Sequence, residues 1–426
     1  MRLRLLAYFT AMVAFISRWS RRFAQLVLPL WMQSHLRPGL DGLVLATCPG
    51  GRPDAETQRY AAIIFVHGLG DLLLGARCIA GLADSMRERG LGVRLLVAAQ
   101  NAEFARCHLP VDEVVAVDWL LFESHLTYRS RLVRSLARGN EYALAVHPML
   151  NRRLAVEDSL IRATRARWGA IGCSQFIFPF ERALGDSFYT RLIPHHPESI
   201  HDLERYREFM SFLGLTIKVT PWRIKPRLSG SETRAWLAEH GLAPKRAYLA
   251  LCPHASDIVR TWPLANFLEV AWALASARGW GVVVLGTHGN EVEWPPPEYR
   301  GNVPLVDLRG ATDIETFIGV LAGSELVVAN DSGPYHMGIS LGRPTLGVAG
   351  SGMPNRYHPY GDSKGLSTTM VYRPVTCAGC EWNCIHVPPV THTAWCIQQV
   401  SWQDVVVAGE RLLAGPRLRG AAGVSQ

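Results

Sequence analysis

Short apolar segments recur along this chain, each followed by a turn and then by a helical pattern, and this alternation strongly constrains the fold. Residues 61–66 read Ala-Ala-Ile-Ile-Phe-Val, which is typical of a strand buried on both faces. A turn is predicted at residues 67–71 and a helix at residues 72–89. Strands that alternate with helices form parallel sheets through crossover connections, so the sequence predicts an α/β fold.

The same alternation occurs a second time, after an interruption at about residues 150–225. Strands are predicted at residues 93–98, 114–117 and 142–146 in the first series and at residues 247–252, 281–285, 326–329 and 345–348 in the second. Open parallel sheets bind ligands at the carboxyl ends of their strands, so two such halves predict a cleft between two Rossmann-like domains. The predicted divisions are an N-terminal segment at residues 1–54, a first domain at 55–225 and a second domain at 226–426.

The N-terminal segment begins with an apolar run. Residues 5–16 are almost wholly apolar and have arginines on both sides. The run is shorter than the roughly 20 residues that a membrane-spanning helix needs, and no small-residue cleavage site of a secretory signal follows it. Arginine beside tryptophan and leucine is typical of a helix that lies in a membrane interface, with a helix packed on the protein's own surface as the alternative. A linker that contains glycine and proline is predicted over residues 39–53.

The formal net charge is +8, and nearly all of the cationic residues are arginines. Arginine binds phosphate and carboxylate through a planar fork, so this composition favours anionic ligands or anionic lipid. No basic cluster, zinc-finger spacing or RNA-binding aromatic motif occurs, which argues against nucleic acid as a partner.

The sharpest motif lies at residues 327–336, where a predicted strand runs through Asn, Asp, Ser and Gly into a helix. Asp331 or Ser332 is suited to cap that helix, and Gly333 would let a ligand approach the backbone. Free N–H groups and the positive end of the helix dipole favour a phosphate at this point. A well-capped helix without a ligand is the alternative, and a lone His336 in the first turn is more often structural.

Two further strand ends carry polar loops. Residues 251–256 lead to Arg260-Thr261-Trp262-Pro263, where Arg260 either binds a diphosphate bidentately or lies at the surface beside a helix start. After the first strand, Gly68-Leu69-Gly70-Asp71 lacks the third glycine of a dinucleotide-binding fingerprint. Asp71 is a candidate general base that faces the second domain, or a helix cap.

Taken together, these motifs resemble glycosyltransferase family 9, the ADP-heptose:lipopolysaccharide heptosyltransferases. The resemblance rests on Gly70-Asp71, on Arg260-Thr261-Trp262-Pro263, on Asp331-Ser332-Gly333-Pro334-Tyr335-His336, on Gly342-Arg343-Pro344, and on residues 201–215 and 354–361. It covers about residues 60–410 and leaves the N-terminal segment outside.

The resemblance implies a GT-B fold and an inverting transfer that needs no cofactor for catalysis. Asp71 would deprotonate the acceptor hydroxyl, and Arg260 would hold the diphosphate and stabilise charge on the leaving group. The residues implied to bind the donor are Ser256, Glu291, Asp331, Ser332, Gly333 and His336. Members of the family often have lysine where Arg260 stands, so the donor need not be ADP-heptose.

We therefore expect a cytoplasmic enzyme, peripheral on the inner membrane, that transfers a sugar, heptose by preference, from a nucleotide diphosphate to a lipid-linked, lipopolysaccharide-type glycan. The arginines at residues 152, 153, 162, 165 and 167 either contact that acceptor or line a solvated helical face. Two rival functions remain open: a nucleotide-sugar epimerase or hydrolase on the same fold, and a nucleotide-binding assembly protein without chemistry.

Four cysteines lie within twenty residues of one another near the C-terminus. They are Cys377, Cys380, Cys384 and Cys396, with His386 and His392 nearby. Four thiolates at such spacing are suited to close a tetrahedral structural zinc site, although the spacing is not that of a zinc ribbon. A reduced cluster without metal is the alternative.

Overall fold

The computed structural model describes residues 30–48, 59–138, 141–149, 151–166, 170–173, 179–194, 200–287, 303–358, 360, 366–382, 384–386 and 393–415. Within them the chain forms two six-stranded parallel sheets. Each sheet lies in its own lobe, with helices packed against it.

The first lobe contains the strands β1 Tyr60–Phe65, β2 Gly92–Ala98, β3 Glu113–Val117, β4 Tyr142–His147, β5 Ala170–Cys173 and β6 Arg191–Ile193. Its helices are α1 Leu30–Thr47, α2 Leu69–Glu88, α3 Ala102–His108, α4 Trp119–Ser124, α5 Leu126–Ala137, α6 Ser159–Thr164, α7 Pro179–Asp186 and α8 Asp202–Phe212. The strand order is β3-β2-β1-β4-β5-β6, which is the order of a Rossmann sheet.

The second lobe contains the strands β7 Tyr248–Cys252, β8 Gly281–Val284, β9 Leu305–Asp307, β10 Leu326–Asn330, β11 Thr345–Val348 and β12 Thr368–Val371. Its helices are α9 Gly230–Glu239, α10 Leu264–Ser276, α11 Ile314–Gly323, α12 Gly333–Ser340, α13 Trp395–Gln398 and α14 Trp402–Ala414. The order β12-β11-β10-β7-β8-β9 repeats the Rossmann arrangement. The predicted α/β class with two Rossmann-like lobes is confirmed.

Helix α1 corrects the prediction of a linker over residues 39–53, because the chain is helical up to Thr47. Tertiary contacts override the weak helix propensity of Pro38 and two glycines. Leu45 and Cys48 are buried against the first lobe. A buried ion pair joins Asp41 of α1 to Arg129 of α5, with Arg129 Nε donating to Asp41 Oδ1 at 2.7 Å.

The predicted membrane-interfacial run at residues 5–16 lies outside the described residues. Among the helices that the structure does describe, none has the length and the apolar composition to cross a membrane.

The two lobes share one apolar core across their junction. Buried residues of α2, such as Leu72 and Leu73, belong to the same cluster as Tyr335 and Met337 of α12. Helices α2 and α12 pack directly against each other. The beginnings of these two helices therefore lie close together at the junction.

Candidate active site

The predicted site residues follow the strands at which each sheet changes direction. In the first lobe this switch point lies between β1 and β4, and in the second lobe between β7 and β10. Ligands of open α/β sheets bind outside the carboxyl ends of the strands at such points. Asp71 follows β1, Arg260 follows β7, and residues 331–336 follow β10.

The two loops of the second lobe are joined by the side chain of Asn330, the last residue of β10. Its Oδ1 accepts a hydrogen bond from the Trp262 backbone N–H at 2.9 Å, and its Nδ2 donates to the Pro253 carbonyl at 2.5 Å. Trp262 is fully buried, and its indole Nε1 donates to the Val400 carbonyl at 3.0 Å. These bonds fix the loop that carries Arg260.

Arg260 ends a short 3-10 turn and is partly exposed. Its Nη2 donates to Ser256 Oγ at 2.6 Å. The Cζ atom of Arg260 lies 6.0 Å from the ring centroid of Trp382, a residue of the cysteine-rich loop. Trp382 in turn lies against Gly350 and Gly352, where a Cβ would approach its ring to less than 3 Å. Arg260 and Ser256 thus form a pair of polar donors suited to oxyanions.

The start of α12 differs from the predicted cap. Ser332 occupies the N-cap position, but neither its side chain nor that of Asp331 caps the helix. The Ser332 hydroxyl donates instead to the Asn330 carbonyl at 3.3 Å. Pro334 has no N–H, so the backbone N–H of Gly333 is the leading donor at this helix end.

Three carboxylates and two arginines lie near one another at the junction. Burial raises the pKa of Asp331 to about 6, Arg260 and Arg356 oppose that rise, and Asp71 adds to it. Burial likewise raises the pKa of Asp202 to about 6, against the effect of Arg356, whose Nε lies 3.4 Å from Asp202. The site is therefore rich in negative charge, and Arg356 is its internal counter-charge.

Asp202 and Arg356 had no role in the sequence-based prediction. Both lie in segments that carry the family resemblance, residues 201–215 and 354–361. Their backbones are also joined, because the Asp202 N–H donates to the Arg356 carbonyl at 2.9 Å. Only the fold shows that these distant segments meet beside Asp71.

His336 is buried in the junction rather than open to the cleft. Its Nδ1 and the Tyr360 hydroxyl share a short hydrogen bond, and its Nε2 lies 3.9 Å from Asp331 Oδ1. Burial lowers the pKa of His336 to about 3, so the imidazole is neutral at pH 7. This geometry fits a residue that positions Asp331 and the start of α12.

Asp71 lies in the first turn of α2, after Gly68 at the N-cap. The preceding loop is held from both sides. Asn101 Nδ2 donates to the His67 carbonyl at 2.8 Å, and Arg153 Nη2 donates to the Val66 carbonyl at 3.1 Å. These contacts hold the backbone of the loop that leads into Asp71.

Four of the five arginines predicted either to contact an acceptor or to line a solvated face have partners within the first lobe. Arg152 is fully buried and pairs with Asp158 and Asp186. Arg153 pairs with the buried Glu157. Arg162 and Arg165 donate to carbonyls of α1, and thereby hold that helix on the lobe. Arg167 lies outside the described residues, as does Glu291.

The structure describes all four cysteines of the predicted zinc site. Cys377, Cys380, Cys384 and Cys396 are all free, and Cys396 is buried where its Sγ accepts from the Ser351 N–H at 3.4 Å. Within the part of the chain that the structure describes, no three side chains of His, Cys, Asp or Glu are grouped to hold a metal ion.

A sequence model of glycosyltransferase family 9 (heptosyltransferase) matches residues 179–380. The predicted resemblance to family 9 is confirmed. The match to family 9 includes Arg260 and residues 331–336, whereas Asp71 precedes it.

One curated relative extends the comparison with family 9. Lipooligosaccharide heptosyltransferase 2 of Haemophilus influenzae is 24% identical over 145 residues, which are 33% of this chain. The chain spans only 41% of the length of that curated relative.

Two solved structures share the fold. The glycosyl transferase family 9 structure from Veillonella parvula has a TM-score of 0.65 at 16% identity and covers 84% of this chain and 98% of its own. The structure of E. coli ADP-heptose lps heptosyltransferase II has a TM-score of 0.59 at 16% identity. It covers 83% of this chain and 98% of its own. The predicted GT-B fold class is confirmed by these neighbours.

Proposed function

We propose that this protein is an inverting glycosyltransferase that moves a sugar from a nucleotide diphosphate to a hydroxyl of an envelope glycan. The observation that carries the proposal is the close contact between Gly70, the neighbour of Asp71, and Gly333, where a Cβ on Gly70 would lie 3.5 Å from the Gly333 nitrogen. The charges of Asp71 and Arg260 also both influence the pKa of the buried Asp331. A base and a diphosphate-binding cation are thereby brought into one site from opposite switch points. Both are needed for displacement at an anomeric carbon.

In the proposed reaction, Asp71 accepts the proton of the acceptor hydroxyl. The hydroxyl oxygen attacks the anomeric carbon from the face opposite the nucleotide, and the bond from that carbon to the diphosphate oxygen breaks. The diphosphate leaves with the bonding electrons, and the configuration at the carbon inverts. Arg260, Ser256 and the Gly333 N–H stabilise the negative charge that the leaving group gains.

ADP-heptose is the proposed donor, and heptose is the sugar transferred. The proposal rests on a curated relative that is a heptosyltransferase and on a structural neighbour that bears ADP-heptose in its name. Arginine at position 260 suits any nucleoside diphosphate, because its contact is with phosphate rather than with the base. Asp331, Ser332 and His336 act here as residues that shape the donor site.

The proposed acceptor is a lipid-linked glycan of the lipopolysaccharide type, reached at the cytoplasmic surface of the inner membrane. The arginine-rich composition and the apolar run at residues 5–16 support attraction to an anionic membrane. Arg152 is excluded from direct contact with the acceptor because it is fully buried in its ion pairs.

The test is thermal stabilisation of the full-length protein by a panel of nucleoside diphosphates and ADP-heptose. A ligand that binds the folded state raises Tm in proportion to RT ln(1 + [L]/Kd). We expect a concentration-dependent rise with one base that is lost in Arg260→Ala and largely kept in Arg131→Ala, an exposed arginine of α5. No shift with any nucleotide would overturn the proposal.

Turnover separates the proposal from its rivals. Asp71→Asn should keep nucleotide binding and lose transfer by at least about 100-fold, in line with removal of a general base. Consumption of ADP-heptose without an acceptor would instead identify an epimerase or hydrolase. Transfer that is indifferent to Asp71→Asn would contradict the assignment of the base.

A further inference from the structure

A basic cavity of about 550 Å³ lies at the lobe junction, apart from the candidate active site. It is lined by Arg106, Cys107, His108, Arg223, Lys225 and Arg227. The first three residues belong to the last turn of α3 in the first lobe. The others belong to the segment that leads into α9 of the second lobe. The cavity is therefore built from both lobes.

The position of the cavity along α12 separates it from the proposed donor site. Arg223 Nη1 donates to the carbonyl of Ile339, near the C-terminal end of α12, at 3.2 Å. Gly333, at the proposed donor site, is the first residue of the same helix. Six residues of α-helix span about 9 Å, so a small anion cannot contact both places at once.

The four full cations of the cavity outnumber the two carboxylates that act on them, Glu103 and Glu315. Glu315 is engaged by His108, with His108 Nε2 and Glu315 Oε1 2.9 Å apart. Arg227 Nη1 donates to Cys107 Sγ at 2.9 Å, and the charges of Glu315 and Glu103 act on Arg227 as well. Arg106 and Lys225 have no hydrogen bond or ion pair to any residue that the structure describes. Two full positive charges at this cavity therefore remain available to a ligand.

A third cation strengthens the positive field. Arg77 of α2 donates through Nε to the Thr220 carbonyl at 2.6 Å, beside the same segment. Burial lowers the pKa of Arg77, and the charge of Arg223 lowers it further. Like charges held this close are stabilised when an anion lies between or beside them.

We propose that this cavity is a second anion site, which binds a phosphoryl group between Arg106 of the first lobe and Lys225 and Arg227 of the second. Guanidinium forks and an ammonium group supply several donors to a tetrahedral oxyanion. A phosphoryl group has the charge to match them. Because its partners come from both lobes, the bound anion fixes the orientation of one lobe relative to the other.

The bound anion acts as a bridge beside the contact between His108 and Glu315, which already joins α3 to α11. The phosphoryl group is either that of a free phosphate compound or that of a lipid headgroup. This site is independent of the proposed transfer reaction, because none of its residues takes part in that reaction.

The experiment uses inorganic pyrophosphate as the probe and Arg260→Ala as the background, so that the proposed donor site contributes little. Calorimetry should show binding that is weakened at least tenfold in the double variant Arg106→Ala/Lys225→Ala. The matched control is Arg131→Ala/Arg134→Ala, which removes the same charge from exposed residues of α5. All four substituted residues are exposed, and a thermal scan checks that each variant folds.

No pyrophosphate binding in the Arg260→Ala background, or an equal loss in both double variants, would overturn the proposal. The source of the phosphoryl group is resolved by sedimentation with phosphatidylglycerol vesicles. If the cavity variant loses vesicle binding that the control keeps, and pyrophosphate competes for it, the ligand is a headgroup. If vesicle binding is unchanged while pyrophosphate binding is lost, the ligand is a free phosphate compound. Because the tests of the donor site use nucleotides and Arg260, the two proposals fail separately.

Discussion

Gly70 and Gly333 lie against each other across the junction of the two lobes. A Cβ built on Gly70 would lie 3.5 Å from the Gly333 backbone nitrogen and 3.0 Å from His336 Cδ2. Each glycine comes at the start of a helix that follows a switch-point strand. The absence of both side chains allows Asp71 and the proposed diphosphate site to lie in one small volume.

Gly70→Ala should lower transfer activity by about tenfold or more, because the new methyl group presses on the buried ring of His336. The movement would separate the base from the donor by a fraction of an ångström, and catalysis is sensitive to such displacements. Steady-state kinetics with ADP-heptose and an acceptor measure the change.

Gly333→Ala is the matched control for that substitution. Its Cβ would meet only Leu69 Cβ at 3.5 Å and Gly70 N at 3.6 Å, which are ordinary contacts. A larger loss of activity in Gly333→Ala than in Gly70→Ala would show that approach of the ligand to the backbone, rather than contact between the lobes, sets the constraint.

Asp331→Asn should stabilise the protein at pH 8 and have no such effect below pH 4. Burial raises the pKa of Asp331 from 3.8 to about 6, so the unfolded state loses this proton first as the pH rises. The free energy of unfolding of the parent protein therefore falls as the pH rises from about 4 to about 6, and it stays lower above pH 6. Asparagine does not titrate, so the variant does not show this fall. A shift of about two units corresponds to a difference of at most about 3 kcal/mol.

Thermal or urea unfolding of both proteins across this pH range measures the difference. Asp84→Asn is the control, because the side chain of Asp84 is 72% exposed and the change should matter little at either pH. A stability difference for Asp331→Asn that grows toward acid pH would contradict the direction assigned here.

Asn330→Ala should cost about 2 to 5 kcal/mol of stability, because it leaves the buried Trp262 N–H and the Pro253 carbonyl without partners. It should also weaken nucleotide binding, since the loop of Arg260 loses its anchor. Urea unfolding and nucleotide titration measure the two effects. Ser332→Ala, which removes only a 3.3 Å bond to the Asn330 carbonyl, should cost less than about 1 kcal/mol.

Asp41→Ala should cost about 3 to 5 kcal/mol, because Arg129 would stay buried without its carboxylate. Urea unfolding followed by circular dichroism measures the loss. The matched control is Asp404→Ala, which breaks an exposed pair with Arg373 and should cost at most about 1 kcal/mol. Equal losses in the two variants would indicate that α1 is not anchored by this pair.

The strands were the most predictable part of the fold, because continuous apolar runs such as residues 61–66 have few alternatives in a parallel sheet. Helix α1 was missed because its local sequence favours a different structure from the one it forms. Pro38, Gly39 and Gly42 are typical of a linker, and the helix forms because Asp41 and Leu45 find partners on the first lobe.

The candidate site was predictable where a strand end carries its own motif, as at Asp71, Arg260 and Asp331. It was not predictable where function depends on contacts between distant segments. Nothing near Asp202 in the sequence indicates Arg356, which lies 154 positions away. The arginine at residue 152 was misinterpreted because its burial against Asp158 and Asp186 becomes apparent only in the fold.

The shared apolar core of α2 and α12 limits how this protein can be recombined. If the second lobe were exchanged with that of a relative, the surface of α12 that buries Tyr335 and Met337 would meet a foreign α2. Chimeras joined near residue 225 should therefore fold poorly unless α2 is exchanged together with the second lobe. Exchange of the second lobe is then tied to a helix of the first lobe, and substitutions on the facing surfaces of α2 and α12 should occur together.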